Sequence, residues 1–371
     1  MKLETLVATL ASVVHVGGFL VGLGPPQKVN GRLLEGTSSS HKAIPGVAKW
    51  TSRAVKTRHP RLCVVPSLDG TPAGEWDGTF FSPAKINLFL RVLGKRPDGF
   101  HDLASLFQTV GFGDRLFFRK LPENAVADAF DCNMKGVPTD GSNLVLRALE
   151  LFRKRTSSHC FFEVYLSKRI PPEAGLGGGS GNAATALFAA NELAGNPASL
   201  EELQLWSAEL GSDITFFLST GTCYCTGRGE VLHPQEPLPQ ARVWLVKPSE
   251  GLSTPVVFRH IDYDQLSRVA PDHLLNQFME GGLAGAEYVN DLELPAFKAM
   301  PSLQQMKEEL QQVLGFKHVL MSGSGSTIFC IGSPTHAGSW TEEFAEKWGA
   351  MVIGTHFINR RVDVNTWYVE S

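Results

Sequence analysis

A glycine-rich run lies where a predicted strand meets a predicted helix, and its residue types could bind phosphate. Residues 170 to 187 read IPPEAGLGGGSGNAATAL, and four of the five residues from Gly175 to Gly179 are glycine. Glycine loses more backbone freedom on folding than any other residue, so the run indicates a need for bare backbone. Helix N-termini present unpaired N–H groups and the positive end of the helix dipole, and both favour anions. The run therefore predicts a phosphate cradle at the start of a helix.

Two common phosphate loops do not fit this run. A dinucleotide fingerprint has the spacing G-x-G-x-x-G and an acid about 20 residues on, whereas Gly175, Gly177 and Gly179 are too close together. A Walker A loop has a lysine after its last glycine, and none follows Gly179. A nucleotide phosphate cradle of a third kind is the best interpretation, and a structural glycine hinge is the alternative.

Two charged residues lie in apolar surroundings. Lys85 is part of AKINLFL, and Asp213 is part of LGSDITFFL, where a predicted helix meets an apolar strand. Charged side chains are rarely buried unless they are paired, so Lys85 is expected to have a partner. Asn87 follows Lys85 by two residues and is predicted on the same strand face. A snorkelling edge-strand lysine and a helix-capping aspartate are the alternatives.

Composition limits the class of protein. The chain has 371 residues, of which 43% are hydrophobic, enough for a large core or two domains. Its net charge of −3 argues against nucleic acid as a partner. Six scattered cysteines form no C-x-x-C pair. Cys223 and Cys225 would share a strand face but lack the partners of a zinc site, so we expect reduced, mostly buried thiols.

The first 78 residues differ in composition from the rest. Residues 1–24 contain an apolar run after Met1 and Lys2 and resemble a secretory signal; a membrane-spanning helix is the alternative. Residues 25–78 form a predicted transit peptide and linker, basic and hydroxyl-rich, with Glu35 as the one acid up to residue 62. The two together resemble the bipartite presequence of plastids with extra membranes. A simple plastid or mitochondrial presequence or a disordered tail are the alternatives.

The remaining chain alternates strand and helix patterns. Predicted strands are FFSPAKINLFLRV, RLFFRKL, CFFEVYLSKRI, ARVWLVKPS and a closing strand near TWYVE. One predicted helix is capped by Ser142, and another begins near Asn182 and ends at Gly195. Further helices are predicted at LEELQLWSAELG and SLQQMKEELQQVLG. A proline-rich stretch near residue 240 suggests two domains, 79–240 and 241–371.

Several segments, in order, resemble the motifs of the GHMP kinases, which include galactokinase, homoserine kinase, mevalonate kinase and phosphomevalonate kinase. They are SPAKINLFL at 82–90, AGLGGGSGNAATAL at 174–187, LGSDITFF around Asp213 and MSGSGSTIF at 321–329. The resemblance spans residues 80 to about 330. It implies a two-domain α+β fold, with an N-terminal domain like that of a small-subunit ribosomal protein and a ferredoxin-like C-terminal domain.

The resemblance also implies an activity and roles for particular residues. The activity is transfer of phosphate from ATP to an alcohol, with Mg²⁺ required, although no metal ligands are assigned. Asp213 would be the catalytic base, oriented by Lys85, and Asn87 would bind substrate. Asn143 would lie near the adenine. The ATP-binding residues would be Gly175, Leu176, Gly177, Gly178, Gly179, Ser180, Asn182, Ser322, Gly323, Ser324 and Gly325.

Within the GHMP kinases, the motifs are most similar to the branch that phosphorylates the 2-hydroxyl of a cytidine-diphosphate-linked methylerythritol, in the non-mevalonate route to isoprenoids. This similarity implies that Phe100 and Phe258 sandwich the cytosine ring, that His101 binds its polar edge, and that Thr254 lies nearby. Ordinary core or loop roles are the alternatives. The implied protein is plastidial, acts on a small molecule without nucleic acid or membrane in its mature form, and is a monomer or weak dimer.

Two positions depart from the family pattern. Glu173 stands where a glycine is usual, and Gly181 where a serine is usual. Glu173 would bring negative charge near the triphosphate, and Gly181 removes a hydroxyl that could contact phosphate or Mg²⁺. Another GHMP kinase acting on homoserine or a sugar, an inactive nucleotide-binding relative, and a nicotinamide oxidoreductase are the alternative functions.

Overall fold

The computed structural model describes residues 74–336, 338–361 and 366–370. The signal-like segment 1–24 and nearly all of the transit-like segment 25–78 therefore lie outside the described residues. In the described part, the strands are β1 (Gly78–Lys95), β2 (His101–Lys120), β3 (Ala129–Cys132), β4 (Phe162–Ser167), β5 (Thr222–Gly227), β6 (Val231–Pro234), β7 (Arg242–Pro248), β8 (His318–Met321), β9 (Ile328–Ile331) and β10 (Ala350–His356). The α-helices are α1 (Leu144–Thr156), α2 (Gly178–Leu193), α3 (Leu200–Ser207), α4 (Ile214–Phe217), α5 (Thr254–Arg259), α6 (Pro271–Gly285), α7 (Glu293–Ala299), α8 (Pro301–Glu308) and α9 (Trp340–Trp348). No helix among these described residues is long and apolar enough to cross a membrane.

The first sheet is built around the two long strands β1 and β2, which pair antiparallel. Strand order is β3-β4-β2-β5-β6, with β1 paired to β2, and β3 runs parallel to β4. β1 is buried along most of its length, as its apolar sequence predicts. β2 begins at His101, much earlier than the predicted strand at residue 115, because residues 101–110 also pair with β1 and β5.

Helix α2 is buried on nearly all of its faces, packed between α1 and the first sheet. Its alanine-rich sequence suits this position, since a helix that is apolar all round belongs in a core. The helix begins at Gly178, not near Asn182 as predicted, because Gly177 adopts φ +69° and acts as the N-cap. The predicted cap of α1 is also wrong. Asn143, not Ser142, caps α1, with its Oδ1 accepting from the Val145 N–H at 2.8 Å.

The second sheet has the antiparallel order β10-β7-β9-β8 and packs with α5 and α7–α9 around its own apolar cluster. The two sheets fall on either side of residue 240, since β6 ends at Pro234 and β7 begins at Arg242. The division into 79–240 and 241–371 remains a prediction.

The end of the chain returns to the first sheet, and the predicted strand at TWYVE is wrong. Residues 366–370 form no strand, and β10 closes the second sheet instead. Trp367 stacks on Phe188 with ring centroids 4.4 Å apart, and its Nε1 donates to the Phe81 carbonyl at 2.7 Å. Aromatic and β-branched residues favour strands, but here the aromatics are anchors for an irregular segment.

Candidate active site

A cleft of about 1240 Å³ connects the predicted phosphate loop with the aromatic residues of the predicted base pocket. Lys85, Asn87 and Phe107 of β1 and β2 line its middle. The predicted site residues that line it are Lys85, Asn87, Phe100, His101, Asn143, Gly175, Leu176, Gly177, Gly178, Gly179, Ser180, Asn182, Asp213, Thr254, Phe258, Gly323, Ser324 and Gly325. Residues that are more than 200 positions apart in the sequence therefore line the same cleft.

The glycine run forms the predicted cradle at the start of α2. The first backbone hydrogen bond of α2 runs from the Gly181 N–H to the Gly177 carbonyl at 2.8 Å. The N–H groups of Gly178, Gly179 and Ser180 therefore have no intrahelical partner and are available to an anion. A Cβ at Gly177 would lie 2.9 Å from the Phe217 ring and 3.0 Å from Lys85 Cγ. Glycine is required there for both space and backbone conformation.

Residues 322–325 form a tight turn in the segment MSGSGSTIF, which resembles the third motif of the GHMP kinases. We call it the third glycine turn, and it packs on the start of the phosphate loop. Ser322 Oγ donates to the Gly175 carbonyl at 2.9 Å, and a Cβ on Gly175 would overlap the Ser322 carbonyl. Gly323 lies against the reacting region: a Cβ there would be 3.3 Å from Asn87 Oδ1 and 3.4 Å from Lys85 Nζ. The turn thus lies beside the predicted catalytic lysine, with little room for a side chain between them.

Lys85 and Asp213 form the predicted pair. Lys85 Nζ lies 3.5 Å from Asp213 Oδ2; the lysine side chain is 5% exposed and the aspartate side chain 34%. Lys85 Nζ also donates to Asn87 Oδ1 at 2.8 Å and lies 4.8 Å from the centre of the Phe107 ring. Lys85 is therefore a buried, paired lysine, so the snorkelling alternative is wrong. The lysine holds the carboxylate while leaving part of it open to the cleft.

The segment after Asp213 is a one-turn helix, α4, and not the predicted apolar strand. Asp213 occupies the N-cap position, but its side chain makes no capping hydrogen bond to α4. The helix-capping alternative therefore does not account for this carboxylate. The short run ITFF is buried and packs against α2, which is why its sequence resembles a strand.

Asn87 and Asn182 use their amides within the protein. Asn87 Nδ2 donates to Ser105 Oγ at 2.8 Å. Asn182 Nδ2 donates to Ser82 Oγ and to Asp114 Oδ2, both at 2.9 Å. Both asparagines are buried and brace the strands and loop around the cleft. Direct contact of either with a ligand stays a prediction.

Lys168 and Asp114 lie beneath the phosphate loop, and sequence analysis did not predict them. Lys168 Nζ donates to Asp114 Oδ2 at 2.6 Å, and a Cβ on Gly178 would lie 3.1 Å from the same nitrogen. Asp114 Oδ1 accepts from the Arg169 and Ile170 N–H groups at 2.7 and 2.8 Å. The signal for Lys168 was its position in the strand that leads into the glycine run.

Aromatic residues gather at the other end of the cleft. The His101 ring lies 4.7 Å from the Phe258 ring, and His101 Nε2 lies 2.8 Å from the hydroxyl of Tyr263. Burial, and then the charge of Lys95, lowers the pKa of His101, which favours a neutral imidazole at pH 7. Tyr263 was not predicted, since nothing in the sequence near it points to His101.

Phe100 and Thr254 lie at the cleft mouth. The Phe100 ring is 54% exposed, and the Arg228 guanidinium lies 5.2 Å from its centre. Thr254 Oγ1 lies 2.7 Å from Ser324 Oγ, which links α5 to the third glycine turn. Phe100 is not ordinary core, and its exposed face is open to a ligand. Stacking of a base between Phe100 and Phe258 remains a prediction.

The two departures from the family pattern have local explanations. Glu173 adopts φ +51°, a left-handed conformation that favours glycine, and its side chain lies beside Gly251. A Cβ on Gly181 would lie 3.0 Å from the Pro83 carbonyl and 3.1 Å from Ser82 Oγ. A side chain at position 181 would therefore point into the contact between α2 and β1. Gly181 allows close packing there.

Cys225 lines part of the cleft. In the described residues, no group of three or more His, Cys, Asp or Glu side chains could hold a metal ion. Cys223 and Cys225 are free and buried, as predicted. Burial, and then a hydrogen bond with Cys223, raises the pKa of the Cys225 thiol. The thiol beside Asp213 and Lys85 therefore stays protonated at neutral pH.

Comparison with known proteins gives the class first. Residues 143–221 match the GHMP kinases N terminal domain, and residues 273–350 match the GHMP kinases C terminal. A solved structure of 4-(cytidine 5'-diphospho)-2C-methyl-D-erythritol kinase superposes with a TM-score of 0.62 at 30% identity, covering 76% of this chain and 99% of that chain. A homoserine kinase from Cytophaga hutchinsonii superposes with a TM-score of 0.61 at 16% identity, covering 78% and 98%, a likeness of fold alone. The fold is that of a GHMP kinase, and the predicted two-domain α+β fold is confirmed.

Curated relatives identify one family within the GHMP kinases. A 4-diphosphocytidyl-2-C-methyl-D-erythritol kinase from Protochlamydia amoebophila is 46% identical over 288 residues, covering 78% of this chain and 92% of that protein. A chloroplastic kinase of the same name from Arabidopsis thaliana is 47% identical over 298 residues, covering 78% and 76%. The chain belongs to the family of 4-diphosphocytidyl-2-C-methyl-D-erythritol kinases. These are ATP-dependent phosphotransferases with an alcohol acceptor, the class of enzyme that the motifs predicted, and the oxidoreductase alternative is excluded.

Proposed function

We propose that this chain transfers the γ-phosphate of ATP to the 2-hydroxyl of 4-diphosphocytidyl-2-C-methyl-D-erythritol. The observation that carries the proposal is that one cleft is lined by the glycine run, by the Lys85–Asp213 pair, 3.5 Å apart, and by the aromatic residues Phe100 and Phe258. A triphosphate at the cradle and a base at the aromatic end would bring the sugar alcohol of the substrate to Asp213. This order of subsites matches the chemical order of such a substrate.

The residues divide the reaction between them. The free N–H groups at the start of α2 would bind the triphosphate, and the third glycine turn would close around it. Asp213 would accept a hydrogen bond from the attacking hydroxyl, align it and take its proton as the phosphoryl group transfers. Lys85 would hold the Asp213 carboxylate and add positive charge next to the transferred group. Positioning and electrostatics account for most of the catalysis in this mechanism.

Mg²⁺ fits the donor atoms that this part of the cleft offers. The Asp213 carboxylate and the Ser180 hydroxyl are oxygen donors on the cleft wall, and Mg²⁺ binds through one or two carboxylates, phosphates and water. When bound, the ion would neutralise charge on the triphosphate. We assign Ser180, next to the cradle, as the protein group that would hold it, with phosphate oxygens and water as its other ligands.

The aromatic end would select the cytidine group. Phe258 and Phe100 would stack on the two faces of the base, and a neutral His101, held by Tyr263, would bond its polar edge. Homoserine and simple sugars carry no base, so this end of the cleft favours the cytidine-linked substrate over those of other GHMP kinases.

We also propose that the mature protein works in a plastid. Four curated plant relatives are chloroplastic, or chloroplastic/chromoplastic, and residues 1–78 have the composition of a bipartite presequence. Import of the first 78 residues fused to a fluorescent protein tests this proposal. Cytosolic fluorescence would contradict it.

The substrate assignment is tested by kinetics of the full chain and of Phe258→Ala. Stacking of a base on an aromatic ring contributes about 1–3 kcal/mol, so KM for the cytidine-linked substrate should rise roughly 5- to 100-fold. KM for ATP should stay unchanged and serves as the internal control. Turnover of homoserine, or an unchanged KM for the cytidine-linked substrate, would support another GHMP kinase activity.

A further inference from the structure

A short segment, residues 289–293, joins the strand of Lys85 to the third glycine turn. Its backbone pairs with β1: the Leu90 N–H donates to the Val289 carbonyl at 2.7 Å, and the Asp291 N–H donates to the Leu90 carbonyl at 2.9 Å. Leu90 lies on the same strand as Lys85. We call residues 289–293 the clasp segment.

An ion pair fastens the clasp segment more firmly to β1. Arg91 Nε lies 2.9 Å from Asp291 Oδ2, and both side chains are almost fully buried. The same carboxylate oxygen accepts from the Val92 N–H at 2.8 Å. A buried ion pair with extra hydrogen bonds fixes geometry, since removing one partner leaves an uncompensated charge. The clasp segment is therefore fixed to β1 by backbone and side-chain bonds.

The side chain of Asn290 extends from this segment to the third glycine turn. Its Nδ2 donates to the Met321 carbonyl at 2.7 Å and to the Gly323 carbonyl at 2.8 Å, and its Oδ1 accepts from the Leu292 N–H at 2.9 Å. The residue is 7% exposed. An amide has two N–H donors, and both are used here, one on a carbonyl at the end of β8 and one on a carbonyl inside the turn.

Glu293 holds the start of the same turn from the clasp segment. Its Oε1 accepts from the Met321 N–H at 2.9 Å, and its Oε2 accepts from Lys307 Nζ at 2.6 Å. Glu293 thus fixes where β8 ends, while Asn290 fixes the path of the turn after it. Of the two, Asn290 alone reaches Gly323.

The position of Gly323 links this bracing to the chemistry. A Cβ on Gly323 would lie 3.3–3.4 Å from Asn87 Oδ1 and Lys85 Nζ, so the turn lies beside these two groups and leaves little room for a side chain there. Lys85 in turn donates to Asn87 and faces Asp213. A displacement of Gly323 by about 1 Å would change the space around the Lys85 ammonium, and such errors can cost roughly 100-fold in rate.

We propose that Asn290 is a positioning residue for phosphoryl transfer. Through its hydrogen bonds to the end of β8 and to Gly323, it holds Gly323 in place beside Lys85 and Asn87 and so sets the Lys85–Asp213 geometry. The proposal rests on the proposed function, because it assigns a role in that reaction. It places the effect on kcat, because Asn290 acts on the turn beside the Lys85–Asp213 pair.

The variant Asn290→Asp tests this proposal with a side chain of the same shape. It removes both N–H donors and keeps an acceptor for the Leu292 N–H. We expect kcat to fall roughly 10- to 100-fold, while KM for the cytidine-linked substrate changes less than about threefold. Amide hydrogen exchange across residues 321–326 should become faster, because the turn has lost its two anchors.

Asn191→Asp is the matched control. Asn191 is also buried, 4% exposed, and its amide bridges the Ala198 N–H and carbonyl, both at 3.0 Å, far from the predicted catalytic pair. The control should lose stability like Asn290→Asp but keep the wild-type kcat and slow exchange in the third glycine turn. Asn290→Ala, which introduces no charge, replaces Asn290→Asp if that variant does not fold.

Equal kcat values for the folded Asn290 and Asn191 variants would overturn the proposal, as would unchanged exchange at residues 321–326. If the wild-type chain itself does not turn over the cytidine-linked substrate, the proposed function fails. The exchange comparison then still decides whether Asn290 holds the turn, because it needs no turnover.

Discussion

At the scale of single residues, the chemistry depends on a lysine that is almost fully buried next to a half-open carboxylate. The Lys85 ammonium interacts with Asp213, Asn87 and the Phe107 ring, and these interactions together offset the cost of burying its charge. Because the ammonium is held from several sides, the Asp213 carboxylate keeps one orientation before substrate binds. Preorganisation of this kind is a large part of electrostatic catalysis.

Glu173 gives a prediction at this scale. Its φ of +51° is strained for any residue with a Cβ, by about 1–2 kcal/mol. Glu173→Gly and Glu173→Ala both remove the charge, but glycine alone removes the strain, so the glycine variant should be more stable by about 1 kcal/mol. Chemical denaturation measures the difference. An alanine variant as stable as the glycine variant would show that this backbone is not strained.

The sequence predicts some of these residues and misses others for a physical reason. Lys85 and Asp213 could be predicted because a charged residue in an apolar run is expected to have a partner. The structure brings the two side chains together. Tyr263 and Asn290 were not visible. Their partners, His101 and Gly323, are set by the path of the chain between distant segments and by no local pattern.

At the scale of elements, the proposed phosphate site depends on a helix that begins inside the glycine run. The left-handed Gly177 turns the chain directly into α2, so the first N–H groups of α2 belong to glycine and serine and face the cleft. Sequence analysis placed the glycine run at the start of a helix but started the helix four residues late. Glycines have low helix propensity, and only the fold shows that α2 includes them.

Replacing one glycine of this loop should disturb the catalytic lysine. In Gly177→Ala, the new Cβ meets Phe217 and Lys85 Cγ within 3.0 Å at φ +69°, so we expect a stability loss of about 2 kcal/mol or more and a lower kcat. Gly179→Ala is the control. The atom nearest its new Cβ is Leu144 Cδ1 at 3.7 Å, and the position is helical, so stability should change by less than about 1 kcal/mol. Similar stability losses in the two variants would contradict this account of the loop.

At the scale of the whole molecule, the two sheets are joined by more than the chain between β6 and β7. The clasp segment pairs with β1, and the residues after β10 return to the first core, where Trp367 stacks on Phe188. The sequence predicted two α/β halves from its strand and helix patterns. It did not predict this exchange of segments, because long-range contacts carry no periodic signal.

The returning C-terminal segment should contribute strongly to stability. Trp367 is buried against Phe188, and its indole N–H is bonded to the Phe81 carbonyl, so Trp367→Ala should cost about 3–5 kcal/mol in the free energy of unfolding. Val369→Ala is the control, since Val369 is 77% exposed and should change stability by about 0.5 kcal/mol or less. Equal losses would mean that the segment is not anchored by Trp367.

The most direct test of the central claim is ADP release by the full chain and by Asp213→Ala, with Mg²⁺, ATP and 4-diphosphocytidyl-2-C-methyl-D-erythritol, beside ATP binding measured for both. Turnover by the wild type, a loss of about 10²- to 10⁴-fold in the variant and similar ATP binding would support both the substrate and the base. A wild-type chain that binds ATP without turnover, or a variant that keeps the wild-type rate, would contradict the account.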